Sequence, residues 1–249
     1  MISVVIPTLN EAENLQRLIP GIYKSLGGEL EVLVVDKSTD NTSELVYGMM
    51  DEYPGLRYCK QKGSGFANAL VQGIAGAKGD IIVTMDAENH LPREIPELIY
   101  HLGEEHADVV IGSRFMAGAW VELEKKRMMS SKIGSMIINA ALKLKIKDCS
   151  SGFRAYRASA VKPVLDNIRT KYFSIQVELL EKINENGGKL FEVPISYVAR
   201  EDGESKFAYK PAMKDGATLL KIAGGAKIRR IKERIGKVKK RRKTASKLS

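Results

Sequence analysis

Apolar residues along the first ninety positions fall into short runs separated by stretches of helical spacing. Ile2, Val4, Val5 and Ile6 lead into Pro7, and residues 31–35 and 56–59 repeat the design of a compact apolar run ended by polar residues. Between them, Leu15, Leu18 and Ile22 recur every three or four positions behind Asn10, which reads as a helix N-cap with acids in the first turn. Asp40-Asn41-Thr42 starts a second helix, residues 69–77 form a third, and residues 81–85 read as a buried strand bounded by Gly79-Asp80 and a polar cluster. Strands that alternate with helices predict βαβ units and hence a parallel, doubly wound sheet.

The rhythm continues with a helix opened by Leu91-Pro92, a strand over residues 108–112 and a helix carrying Arg127 and Ser131. Residues 133–144 extend that helix as an apolar stripe, which reads as core packing. A helix over residues 173–184 contains Glu178, and residues 189–198 form the last strand. Beyond Pro211 the pattern changes, because Ile228, Ile231, Ile235 and Val238 recur at helical spacing among Lys and Arg. The expected organisation is therefore one α/β domain over residues 1–210, with a single mostly parallel sheet flanked by helices. A basic amphipathic helical tail follows over residues 211–249.

Composition narrows the possibilities. A chain of 249 residues, 44% hydrophobic, can bury one sizeable core. No window approaches the roughly 20 consecutive apolar residues of a membrane span, and the chain starts on a strand rather than a signal peptide, so a cytoplasmic location is expected. Cys59 and Cys149 have no CxxC or spaced histidine partners, and both read as plain thiols rather than disulfide or zinc ligands. Of the net charge of +10, residues 226–249 carry +11 from twelve Lys/Arg and one Glu, which leaves −1 for residues 1–225. The folded part therefore offers no nucleic-acid groove, whereas the tail suits an anionic membrane surface.

The candidate chemistry gathers at strand ends. Asn10-Glu11, Asp36 and the pair Asp86 and Glu88 each follow an apolar run, and open α/β sheets bind ligands at the carboxyl ends of their strands. Any one of these reads equally well as a helix cap, but together at one sheet edge they read as a site. Asp86 and Glu88, with His90 after them, form a donor set able to hold Mg²⁺ or Mn²⁺ against a diphosphate. The GxGxxG of a dinucleotide fold is missing after the first strand, where the turn is Pro-Thr-Leu-Asn-Glu, so NAD binding is not expected.

Residues 4–14, Val34-Val35-Asp36 with residues 38–42, and Gly63-Ser64-Gly65-Phe66-Ala67 resemble the family 2 glycosyltransferases of GT-A fold. Within that family the similarity is closest to the polyprenyl (dolichyl) phosphate mannose or glucose synthases. It continues through residues 111–115, 148–154, 192–195 and 200–206, and so covers residues 1–210. The resemblance assigns Pro7, Thr8, Asn10, Glu11 and Asp36 to the base and ribose of a nucleotide sugar. Gly65, Asp86, Ala87 and the loop residues Arg200, Ser205 and Lys206 complete the donor site. Asp86, Glu88 and His90 fall on the metal positions, and Arg114, Arg127 and Ser131 on the contacts to the acceptor phosphate. Asp86, Arg114 and Arg127 are thereby the expected catalytic groups. Two departures stand out: Lys37 replaces a second acid, and the metal motif is Asp86-Ala87-Glu88.

The resemblance implies an inverting, metal-dependent transfer of a hexose from a GDP or UDP sugar to a polyprenyl phosphate, by an enzyme held peripherally on the cytoplasmic membrane face. Two alternatives stay open. One is a transferase that acts on a sugar hydroxyl or a soluble acceptor; the other is a non-catalytic nucleotide-sugar-binding protein, suggested by Lys37 and Glu88.

Overall fold

The computed structural model describes residues 1–198 together with Thr218, Ile222 and Gly224, which are helical. The loop residues Arg200, Ser205 and Lys206 and the basic tail lie outside the described residues. In chain order the elements are β1 (Ile2–Thr8), α1 (Ala12–Leu26), β2 (Leu30–Asp36), α2 (Thr42–Met49), β3 (Leu56–Lys60) and α3 (Phe66–Gly76). Next come β4 (Ile81–Thr84), α4 (Ile95–Glu104), β5 (Val109–Ser113), β6 (Trp120–Val121) and α5 (Lys125–Leu142). The last are β7 (Arg154–Arg157), α6 (Ala158–Val161), α7 (Ile175–Glu185), β8 (Leu190–Pro194) and β9 (Ser196–Tyr197).

Seven strands form one sheet in the order β3-β2-β1-β4-β7-β5-β8. All neighbours are parallel except β7, which runs antiparallel to both β4 and β5. Every residue of β2 is buried, as expected of a parallel strand covered on both faces. The period-two alternation of the strands divides the core. Val4, Ile6, Val32 and Val34 face α1, α2 and α4, whereas Val5, Val35 and Ile82 face α3 and α7. Full burial of one such side chain contributes about 1.5–3 kcal/mol, so the two layers together are the main stabilising term.

The connections run from β1 outward to β2 and β3, then cross back to β4 on the other side of β1. The switch point therefore lies between β1 and β4, and the carboxyl ends of those strands flank a crevice. β6 and β9 pair separately as a short parallel ribbon beyond Ile195. The single expected strand over residues 189–198 is thus two strands in different sheets.

Two sequence expectations are corrected here. Asn10 is not the cap of α1: the helix starts at Ala12 with Glu11 in the cap position, and Asn10 sits at φ 57°. Asparagine tolerates that left-handed conformation better than most residues. The stripe over residues 133–144 is core only in part: Leu142 and Leu144 are buried and Ile138 packs against the same cluster, whereas Ile133, Met136 and Ile137, with Met129 before them, are 50–62% exposed. Among the described residues no helix is long and apolar enough to cross a membrane.

Candidate active site

A cavity of about 810 Å³ opens at the switch point, walled by the ends of β1 and β4, the turn before α3, the loops after β5 and before β7, and α5 and α7. Pro7, Thr8 and Glu11 line it from β1, and Lys37, Gln61, Ser64 and Gly65 from the next two strand ends. Gly65 has φ 91°, and a Cβ there would stand 2.6 Å from the Lys171 carbonyl oxygen. Only glycine meets both conditions cheaply. Gly65→Ala is expected to cost about 1–3 kcal/mol in a thermal melt and to push the segment around Lys171 away from the cavity wall. A variant that melts like the parent would show the turn to be relaxed.

Asp36 does not reach this cavity. Its carboxylate is 1% exposed and accepts four hydrogen bonds: from Thr8 Oγ1 at 2.8 Å, Tyr58 OH at 3.0 Å, the Ser38 amide at 3.1 Å and the Ser38 hydroxyl. Its acceptor capacity is spent on joining the ends of β1, β2 and β3. Asn10 acts in the same way and does not line the cavity. Its amide donates to Ser38 Oγ at 2.6 Å and its side-chain oxygen accepts from the Thr39 amide at 2.9 Å.

Residues 86–90 form the opposite wall, and all five line the cavity. Asn89, at φ 70°, clamps this loop to β9: its Nδ2 donates to the Val198 carbonyl at 2.7 Å, and Tyr197 OH donates to its Oδ1 at 3.2 Å. His90 is buried, stacks on Phe153 with centroids 5.0 Å apart and meets Tyr197 edge-on. Burial, and secondarily the charge of Arg114, push its pKa down to about 3, so the ring is neutral. Its Nδ1 accepts the Asp86 amide at 3.2 Å, which leaves the ring proton on Nε2. His90 therefore holds the loop through this contact, while it also lines the cavity beside Asp86 and Glu88.

Asp86 and Glu88 remain as oxygen donors on one wall. Gly152 faces Asp86 closely enough that a Cβ there would lie 3.4 Å and 3.5 Å from its two carboxylate oxygens. Among the described residues no three His, Cys, Asp or Glu side chains converge on a point. Two carboxylates nonetheless suit a hard divalent cation that takes its other ligands from water and a substrate diphosphate, which is the usual habit of Mg²⁺.

Arg114, which also lines the cavity, follows β5 and makes a fork-to-fork pair with Asp148, Nε to Oδ2 at 2.7 Å and Nη2 to Oδ1 at 2.9 Å. Its Nη2 also reaches Ser150 Oγ at 2.8 Å, and its guanidinium lies over Tyr197. Burial opposes both charges, but the hydrogen bonds and mutual attraction outweigh it, raising the Arg114 pKa and lowering that of Asp148. Arg127 and Ser131, one turn apart on α5, line the same cavity, followed along that face by Gly134, Ser135 and Ile138. The residues expected to meet donor and acceptor thus share one space.

Sequence reading missed the third wall. Tyr172, Phe173, Ser174 and Val177 line the cavity, with Phe173 stacked on Phe66 at 4.3 Å between centroids. Glu178 anchors this segment by accepting the amides of Arg169 and Thr170 at 3.0–3.1 Å. The available signal was an acid at a buried helical position, which needs nearby donors. Asp148, too, was left without a partner in the sequence.

Comparison with known proteins agrees with this geometry. Residues 3–165 match the family model described as glycosyl transferase family 2. The chain is 38% identical over 215 residues to a dolichol-phosphate mannosyltransferase of Pyrococcus furiosus, covering 84% of this chain and 60% of that protein's length. It is 35% identical over 212 residues to an undecaprenyl-phosphate mannosyltransferase of Micrococcus luteus, covering 82% and 86%. A solved structure of glucosyl-3-phosphoglycerate synthase from Mycobacterium tuberculosis, in complex with Mn²⁺, UDP and glucosyl-3-phosphoglycerate, superposes with a TM-score of 0.70 at 21% identity. That match covers 90% of this chain and 80% of the other. The same enzyme with Mg²⁺ and UDP gives 0.68 at 21% identity, covering 90% and 79%.

Proposed function

Because the chain belongs to glycosyl transferase family 2, we propose that it moves a hexose from a nucleoside diphosphate sugar to a polyprenyl phosphate, with inversion at the anomeric carbon. The observation that carries this reading is one cavity lined both by the carboxylates of Asp86 and Glu88 and by Arg114, Arg127 and Ser131. The two relatives above, a dolichol-phosphate and an undecaprenyl-phosphate mannosyltransferase, favour that acceptor class.

In this reading the nucleoside lies over the ends of β1, β2 and β3 and its diphosphate beside Asp86 and Glu88. A Mg²⁺ or Mn²⁺ ion held there would neutralise charge on the leaving nucleoside diphosphate. Arg114 and Arg127 hold the acceptor phosphate in line with the anomeric carbon. One acceptor oxygen forms the new carbon–oxygen bond as the bond to the diphosphate breaks. A phosphomonoester has a second pKa of about 6 and is already ionised near neutral pH, so no general base is needed. Asp148 suits none: it is fully buried, paired with Arg114 and depressed in pKa. A transferase that uses a neutral hydroxyl would require a base in this space.

The outer face of α5 supports a peripheral membrane position. Arg127, Ser131, Gly134 and Ile138 face the cavity, while Met129, Ile133, Met136 and Ile137 face outward with exposed Trp120, Lys125, Lys126 and Lys132 around them. An apolar helix face ringed by cations suits the interface of an anionic bilayer, and it would hold the acceptor side of the cavity at lipid level. The tail over residues 226–249 would add a salt-sensitive attraction of about 1 kcal/mol per Lys or Arg near the surface. Ile133→Ser with Ile137→Ser is expected to reduce sedimentation with phosphatidylglycerol vesicles at least ~10-fold, and deletion of residues 226–249 to remove the salt dependence. Donor binding should be unchanged in both. Equal sedimentation of parent and variants would refute the membrane placement.

The deciding assay compares donor turnover with a polyprenyl phosphate, a soluble phosphate ester and water. Transfer to the lipid is expected. Exclusive transfer to the soluble ester, or binding without turnover, would select one of the other two readings.

A further inference from the structure

Tyr197 in β9 lines the cavity and has no part in the chemistry proposed above. Its hydroxyl donates to Asn89 Oδ1 at 3.2 Å, in the loop that carries Asp86 and Glu88. Its ring centroid lies 5.4 Å from the guanidinium carbon of Arg114, and the ring meets His90 edge-on at 5.7 Å between centroids. β9 pairs with β6, Tyr197 opposite Val121, so the residue belongs to the small ribbon and not to the seven-stranded sheet. We infer that Tyr197 is a positioning residue, a strut that fixes the separation between the loop of Asp86 and Glu88 and the guanidinium of Arg114. It thereby aligns the leaving group with the acceptor when both substrates are bound. The inference rests on the transferase reading above and goes beyond it by naming the side chain that joins the two subsites.

The sheet alone does not join them firmly. The loop follows β4 and Arg114 follows β5, and β7 runs between those strands, so the two groups leave the sheet two strand spacings apart, roughly 10 Å. Each is also held from elsewhere. Arg114 keeps Asp148 and Ser150, with the Phe115 ring 5.2 Å from its guanidinium carbon. Asn89 exchanges two bonds with Val198, its carbonyl accepting the Val198 amide at 3.1 Å and its Nδ2 donating to the Val198 carbonyl at 2.7 Å. Neither subsite therefore depends on Tyr197 for its own shape; what the phenol adds is the link between them. A phenol suits this task because its face attracts a cation while its polar tip makes a hydrogen bond. The contacts are modest but alignment is steep, since a misplacement of ~1 Å costs up to ~10²-fold in rate without a matching loss of binding. The side chain is half-buried in a two-residue strand, so loss of its one oxygen leaves the core intact.

The test is steady-state kinetics of the full chain with farnesyl phosphate as acceptor, GDP-mannose and UDP-glucose in turn as donors, and Mg²⁺. Calorimetric titration with GDP and UDP accompanies it, for the parent, Tyr197→Phe and Tyr197→Leu. Tyr197→Phe keeps the ring over Arg114 and loses the link to Asn89. It is expected to lower kcat ~10-fold, with acceptor KM and nucleotide Kd within about twofold of the parent. Tyr197→Leu loses both contacts and should also raise acceptor KM at least ~5-fold, again with nucleotide Kd unchanged. A Tyr197→Phe variant that turns over like the parent overturns the inference. So does one whose loss lies in acceptor KM or nucleotide Kd, which would make the hydroxyl a substrate contact. Equal acceptor KM in the two variants also overturns it, because the ring would then not hold Arg114. A parent that binds nucleotide but turns over neither donor overturns the transferase reading and the inference with it.

Discussion

Asp86→Ala is expected to lower turnover by ~10²-fold or more, the scale lost when a principal electrostatic contributor is removed from an active site. The residue follows β4 at the switch point, and its carboxylate rests against the backbone of Gly152, where any side chain would compete with it. In the proposed reading the donor diphosphate lies beside Asp86 and Glu88, where a carboxylate would help to manage the charge of the departing group. The side chain is about a third exposed, and the variant should melt within about 1 kcal/mol of the parent. The measurements are steady-state turnover with and without EDTA and a thermal melt. Activity that survives both EDTA and the substitution would remove the cation from the proposal altogether.

Asp148→Asn should have the largest effect on stability. The carboxylate is fully buried and is the counter-charge of an arginine whose side chain is only 12% exposed. Removing one partner of a buried pair costs about 3–5 kcal/mol, because the other charge stays behind without compensation. For a chain of this size that corresponds to a fall in Tm of about 10 °C. Since Asp148 titrates lower when folded than its ordinary value of 3.8, its contribution is complete above about pH 4 and is lost as pH falls through the folded-state value. Function should suffer separately. Arg114→Lys keeps the charge but loses the planar fork, and is expected to raise the acceptor KM with donor affinity little changed. The reverse kinetic pattern would move Arg114 to the donor side. An Asp148→Asn variant as stable as the parent would mean that the guanidinium is held by its other contacts.

Much of the donor half was legible because its signals are local. The runs ending at Pro7, Asp36 and Asp86 are buried on both faces, so hydrophobicity alone marks them as central strands. The resemblance then locates Arg114, Arg127 and Ser131, and all three line the same cavity as Asp86. Where the reading failed, the cause was a partner distant in sequence. Asp36 stands at a strand end like a ligand-binding residue, but Thr8 and Tyr58 arrive from other strands and absorb its acceptor capacity. His90 carries ligand chemistry, and the contact of its Nδ1 with the amide of Asp86 is one that the sequence does not show. On α5 the spacing is correct and the surroundings are not, since period 3.6 marks an apolar face without saying what covers it. β7 escaped notice because Arg-Ala-Tyr-Arg has no apolar run, and its buried Arg154 donates through Nη1 and Nη2 to the carbonyls of Gln176 and Cys149.

That reversed strand also sets which parts of the chain can change length. Thr84 pairs with Arg154 in antiparallel register, and continuing the count two residues past the ladder brings Asp86 opposite Gly152. One residue inserted or deleted between Gly152 and Arg154 would move Gly152 away from the carboxylate and put a side chain in the space that it leaves open. Residues 115–124 carry only the two-residue β6 and end on exposed positions before α5. Lineages of this fold should therefore accumulate insertions in that outer segment and hold the seven positions from 148 to 154 at constant length. The acceptor side can then diversify while the junction between the two halves of the site stays fixed.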